Sequence, residues 1–232
     1  MKGKQAKKMG PNSLEEPKRN LVRRRRPNLE RPEPSLIEKP TLLIVCEGKA
    51  TEPSYFSQFR LSSATIRAVG TGFNTFSLVK KAVHLASQAR YDQVWCVFDK
   101  DAFSNADFNR AISLANAHRF GIAYSNQAFE YWILLHLEDH QGGKISRGQY
   151  GLKINKLLKP YTLSYGKKNN KIISEPLFKF LNGIDEQTQV SRRQLAIDRA
   201  KRILKQFGHT SPAQAESSTT VFRLVEELLK HS

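Results

Sequence analysis

Between residues 41 and 137, apolar runs of strand length alternate with stretches of helical periodicity, and no other feature narrows the fold as far. The runs are TLLIVC from Thr41, ATIRAVG ending at Gly70, DQVWCVF ending at Phe98 and GIAYS from Gly121. After the first, Thr51 is placed to cap a helix with Tyr55, Phe56 and Phe59 on one face and Pro53 tolerated in its first turn. In NTFSLVKKAVHLASQAR, Phe76, Val79, Val83 and Ala86 fall at helical spacing, and another helix is expected from about Ser104 to Arg119. AFEYWILLHLE is long and apolar enough for a buried helix. Strands that alternate with helices need crossover connections, so the expected fold is α/β, a mainly parallel sheet flanked by helices over residues 40–140.

Past Gly142 the strand signal fades. GQYGLKINKLLKPY and the strongly basic VSRRQLAIDRAKRILKQF read as amphipathic helices, and SSTTVFRLVEELLKHS as a C-terminal helix with Val221, Leu224, Val225 and Leu228 on its apolar stripe. Residues 141–232 are therefore expected to form a helical lobe on the α/β core, with SYGKKNNKIIS an exposed basic loop. Residues 1–39 are rich in Lys, Arg, Pro, Glu and Asn without apolar periodicity, and read as a disordered basic arm whose densest charge is Arg23 to Arg26.

Charge speaks to partners rather than fold. The net charge is +17, and the first forty residues hold twelve Lys and Arg against five Glu, which leaves +10 on the rest. A polyanion, nucleic acid in particular, is the leading partner class. No apolar run approaches a bilayer span and the N-terminus lacks an apolar signal core, so no membrane partner and a cytoplasmic location are expected. Cys46 and Cys96 both lie in strand-like runs and read as inert core thiols, short of the four ligands of a structural zinc site.

Two of the strands run straight into acid. TLLIVC is followed by Glu47 and Gly48, and VWCVF by Asp99 and Asp101. Residues i and i+2 of a strand point the same way, so both aspartates share one space if the extended geometry persists. In an open parallel sheet the rim beyond the strand C-termini is where ligands bind, and Glu47 occupies the matching place, with Gly48 leaving room for a ligand. Any one of these acids would suit a cap or a turn. Together, Glu47, Asp99 and Asp101 repel one another unless a cation offsets them, and hard oxygen donors suit Mg²⁺ or Mn²⁺. A basic protein with an acidic metal pocket is suited to phosphodiester chemistry, with Glu47 as metal ligand or general base.

Glu130, just past the fourth strand, is either a further acid of this rim or a first-turn carboxylate favoured by the helix dipole. Glu52 reads as helix-start chemistry. His136 lies about 240° around the helix from Glu130 and is read as a core or interface histidine, and Trp95 and Trp132 as core. Phosphate-binding candidates are Lys49 and Lys100 at the rim, and Arg192, Arg193, Arg199, Lys201, Arg202 and Lys205 on the basic helix. Lys153, Lys167 and Lys168 are weaker candidates, and a solvated face is the ordinary alternative for all of them.

The Glu after one strand and Asp-x-Asp after another resemble the Toprim fold, which implies Mg²⁺-dependent phosphoryl transfer as in topoisomerases, primases and related nucleases. More narrowly, LLIVCEGKATEPSYF, VWCVFDKDAF, SNQAFEYWILLH and SSTTVFRLVEELL, in that order from Thr41 to Leu229, are similar to the RloB-like family of bacterial defence proteins. That resemblance implies an abortive-infection effector, a nuclease for RNA (tRNA included) or DNA, working with an ABC/AAA-type ATPase. Departures are Gln127, where the family usually has Pro, and Lys49-Ala50 in place of an acid-or-polar residue followed by Lys. A non-catalytic nucleic-acid-binding or adaptor subunit is the alternative reading, and a homodimer is left open. Nothing resembles a P-loop, so ATP hydrolysis by the chain itself is not expected.

Overall fold

A computed structural model describes residues 39–72, 74–101, 103–166, 171–208 and 210–232. The arm up to residue 38, and Lys167 and Lys168 of the basic loop, lie outside the described residues. The sheet has the order β2-β1-β3-β4-β5, built from β1 (Thr41–Cys46), β2 (Thr65–Gly70), β3 (Gln93–Asp99), β4 (Gly121–Asn126) and β5 (Ser218–Thr219). The first four strands are mutually parallel, joined by crossovers through α1 (Thr51–Phe56), α2 (Thr75–Gln88) and α3 (Asn105–Ala117), while β5 runs antiparallel on β4. The expected α/β class is the observed one, a mostly parallel sheet flanked by helices with a helical cluster in the C-terminal part.

The central strands are buried on both faces, which is why they read as unbroken apolar runs. Successive side chains of β1 go to opposite sides: Leu42, Ile44 and Cys46 join one core with α1 and α4 (Glu130–Leu137), while Leu43 and Val45 join another with α2 and α3. Cys46 and Cys96, both buried and free, fall on opposite faces. Helix α4 has Tyr131, Trp132, Ile133, Leu134 and Leu135 fully buried, so it has no solvent face. Against it pack α5 (Arg147–Leu158), α6 (Glu175–Asn182) and α7 (Arg192–Gln206), and α8 (Val221–Leu229) lies on β4.

Small polar residues set the helix starts. Asn74, Ser104 and Ser191 accept hydrogen bonds from the N–H groups of Ser77, Asp107 and Gln194, and Ser146 and Gln149 form a capping box before α5. Thr51 departs from expectation: it is already helical, Ala50 takes the cap position, and the Thr51 hydroxyl donates to the Lys171 carbonyl at 2.9 Å. Helix α6 has no counterpart in the periodicity, and the expected C-terminal helix starts only at Val221, with Ser218 and Thr219 near its expected start forming β5 instead. In and just after β5 hydroxyls do what apolar side chains do elsewhere: Thr219 Oγ1 donates to the Tyr124 carbonyl at 3.0 Å, and Thr220 Oγ1 accepts from the Tyr124 N–H at 2.9 Å. Among the described residues no helix is long and apolar enough to cross a membrane.

Candidate functional site

Strands β1 and β3 are hydrogen-bonded neighbours in register Cys46↔Val97, so their carboxyl ends deliver Glu47 and Asp99 side by side. The Glu47 N–H donates to the Val97 carbonyl at 2.9 Å, and the Asp99 N–H donates to Glu47 Oε2 at 3.1 Å. These two bonds fix the Glu47 carboxylate at the mouth of a cavity of about 170 Å³. Its lining includes Glu47, Glu52, Asp99 and Glu130 together with Lys49, Arg147 and Lys171. It lies beyond the strand C-termini, where a doubly wound sheet places ligands.

The acids of this cavity experience one another. Burial, then the charges of Glu52, Glu130 and Glu47, hold the Asp99 carboxyl well above the usual aspartate range, with Arg147 opposing. Burial raises Glu47 to about 7, the Asp99 N–H opposes, and the charges of Glu52 and Asp101 raise it further. Glu52 is raised as well, first by burial and then by Glu130. Glu130 is the exception. Burial pushes it up, but Lys171 Nζ at 2.8 Å and the Tyr165 hydroxyl at 2.9 Å both donate to its Oε1 and leave it lowered. One corner of the cavity is therefore held ionised while the rest resists ionisation.

The structure brings Glu47, Asp99 and Glu130 together and sets Asp101 apart. Strand geometry ends at Asp99, and Asp101 takes φ 38°, a left-handed turn conformation that short polar residues tolerate. Extended alternation therefore does not carry Asp101 into the cavity. It lines a neighbouring one, with Lys100, Asn105, Asn126 and Gln127, and is bonded to Arg147 at 2.7 Å. The Asn126–Gln127 peptide beside it is cis, at the position where the resembled pattern carries proline. Among the described residues, no three His, Cys, Asp or Glu side chains converge closely enough to hold a metal ion as they stand.

Gly48 has a different use from the one expected. A Cβ there would lie 2.1 Å from the Glu52 carboxylate, whose Oε1 accepts from the Gly48 N–H at 3.3 Å. The missing side chain thus makes room for Glu52, not for a ligand. Gly70 at the end of β2 is less forgiving, because its Cβ would meet backbone, the Gly48 carbonyl at 2.6 Å and Lys49 Cα at 2.7 Å. Backbone cannot yield as a flexible side chain can, so Gly70→Ala is expected to cost about 1–3 kcal/mol in urea unfolding and to shift the turn that carries Glu47.

Most of the expected phosphate-binding residues are engaged within the chain. Arg192 is buried, donates to the Ile184 carbonyl at 2.7 Å and stacks on Phe180. Arg193 donates to Asn182 at 3.2 Å, and Arg199 to the Leu135 carbonyl at 2.8 Å. Arg202 pairs with Asp139, Lys201 with Glu226 and Lys153 with Glu138. Lys100 Nζ turns back to the Phe103 carbonyl. Lys49 is exposed at the cavity mouth and Lys205 is exposed on α7. Trp132 and His136 are in the core as expected, and Trp95 is half-buried against it.

Sequence reasoning missed Glu52, Arg147, Lys171 and Tyr165. Glu52 does sit in the first turn of α1, as read, but its side chain also faces the cavity. Arg147 had a usable signal: it opens α5 directly after a capping serine, where the dipole disfavours a cation. Lys171 and Tyr165 lie in irregular chain with no periodicity to place them.

No curated protein and no solved structure matches the chain. A family match covers residues 42–228, from the second residue of β1 to the last turn of α8, and so takes in the sheet, the acidic cavity and the C-terminal helices. The chain belongs to the family described as RloB-like protein.

Proposed function

We propose that this protein is a Toprim-like, Mg²⁺- or Mn²⁺-dependent nuclease of bacterial defence, cutting RNA (tRNA included) or DNA under the control of an ABC/AAA-type ATPase. The observation that carries the reading is the Glu47–Asp99 pair, bonded together at adjacent strand ends, with both carboxyls raised by burial and by neighbouring acids. The acceptors that line the cavity are carboxylates, the donor type a hard divalent cation takes, and they share it with Lys49, Arg147 and Lys171, so a cation would have to compete with these side chains. Asp99 would hold it, joined by Asp101 once that side chain turns in from the neighbouring cavity, with Glu47 as a further ligand or as general base. The cation would supply polarisation of a phosphoryl oxygen and a more acidic water. In the general-base role, not bound to the cation, Glu47 is raised by burial to about 7 and is suited to accept and release a proton at Oε1 near neutral pH. Glu130, kept ionised by Lys171 and Tyr165, can orient a water as an acceptor. The +10 surplus beyond the first forty residues holds the polyanion.

Purified protein, with and without the ATPase, is expected to cleave tRNA or DNA only when Mg²⁺ or Mn²⁺ is present. Asp99→Ala is expected to lower the rate about 10²-fold or more. Equal cleavage by wild type and Asp99→Ala would overturn the reading. The adaptor alternative draws on the lack of three converged ligands among the described residues. It gives salt-sensitive binding that survives Asp99→Ala, and no cleavage even with the ATPase.

A further inference from the structure

A cation at the first position of a helix works against the helix dipole, so Arg147 gains nothing locally from opening α5. Its guanidinium instead reaches across two carboxylates, 2.7 Å to Asp101 Oδ2 and 3.9 Å to Asp99 Oδ2. The base from which it reaches is firm: the Ser146–Gln149 capping box fixes the start of α5, and Tyr150 and Ile154 bury the next turns. Lys171, another cation lining the cavity, is already bonded to Glu130. Arg147 is therefore the charge that offsets Asp99, and its shortest bond is to the one expected ligand that lies outside the cavity.

We propose that Arg147 is a positioning residue that stands in for the cation. It offsets Asp99 and ties Asp101 aside, so a divalent cation is taken up fully only when Arg147 releases Asp101 to join Asp99 and Glu47. The proposal rests on the reading of the cavity as a cation site. It adds a side-chain tie to the left-handed turn at Asp101, which sets the two aspartates of the Asp-x-Asp stretch in different cavities while one guanidinium spans both. It also gives the site a gate: a phosphodiester that draws the guanidinium away favours cation binding, because Arg pairs with phosphate through the same fork of donors.

Calorimetric titration of the full chain with Mn²⁺ tests this in wild type, Arg147→Gln, Asp101→Asn and the double variant, with thermal melts to verify folding. Arg147→Gln is expected to bind Mn²⁺ about tenfold more tightly than wild type, and the gain to shrink below about twofold when residue 101 is Asn. Arg147→Lys keeps the charge but not the fork, and is expected to tighten binding by a smaller factor. It serves if the glutamine variant does not fold. An Arg147 that acted only through the field in the cavity would give the same gain in both backgrounds. Equal gains, or no tightening on loss of the arginine fork, overturn the proposal. Failure of the cation-site reading looks different: no Mn²⁺ binding that Asp99→Asn abolishes, in wild type or in any variant.

Discussion

At pH 8, Glu47→Gln should unfold at a higher temperature than the wild type in metal-free buffer, and yet with Mg²⁺ present it should cleave about 10²- to 10⁴-fold more slowly. The two effects share a cause. Burial, with the charges of Glu52 and Asp101, raises the Glu47 carboxyl to about 7, while the unfolded chain ionises near 4.5. A folded-state pKa above the unfolded one means that the folded protein binds the extra proton between those values. Its contribution to stability is full below 4.5 and lost as pH rises through 7. Above pH 7 the fold carries a charge that water would solvate better. Discounted for its partial exposure, that amounts to about 2 kcal/mol. Glutamine retains the oxygen that accepts the Asp99 N–H and drops the charge, so the variant's advantage should be present at pH 8 and mostly gone at pH 5. Added Mg²⁺ should close the gap by stabilising only the wild type. A Glu47→Gln protein less stable than wild type at pH 8 would show that Arg147 already compensates the carboxylate, and that the cavity has no need of a cation.

The sheet was legible because β1 and β3 are buried on both faces and write their burial into the chain as continuous apolar runs. The rim was legible for the same reason, since a parallel topology brings Glu47 and Asp99 to one edge whatever the loops do. Contacts made by single side chains from irregular chain were not. Asp101 follows strand spacing in sequence but leaves strand geometry one residue too early, and a left-handed turn has no periodic signature. Glu130 could not be assigned until Lys171 and Tyr165, some 35 to 41 residues away, were seen to bond it. The basic helix misled for a related reason. Composition reports the charges of Arg192 and Arg199, but not that backbone carbonyls at Ile184 and Leu135 take up their donors. Strand β5 was hidden because Ser218 and Thr219 carry no apolar pattern, and Thr219 pairs with β4 through its hydroxyl as well as through backbone.

His136 is expected to dominate the acid sensitivity of the fold. It is fully buried in α4, with Nδ1 2.9 Å from the Trp132 carbonyl, so the neutral ring donates there; Nε2 has no partner among the described residues. Burial lowers its pKa to about 3, the Trp132 carbonyl opposes, and the charges of Arg193 and Arg199 lower it further. Here the unfolded chain binds the extra proton, so the contribution is present above the unfolded value of about 6.5 and is lost as pH falls towards 3. From pH 7.5 to pH 5 that removes about 2 kcal/mol. Glu47 works in the opposite direction over part of this range, which would mask the slope in the wild type. Urea unfolding is therefore best compared between Glu47→Gln and Glu47→Gln/His136→Leu, at both pH values. The single variant should lose about 2 kcal/mol more than the double on acidification. Equal losses would mean that His136 takes up a proton in the folded state, and a histidine that can do so inside α4 would have to be considered for chemistry that its burial now rules out.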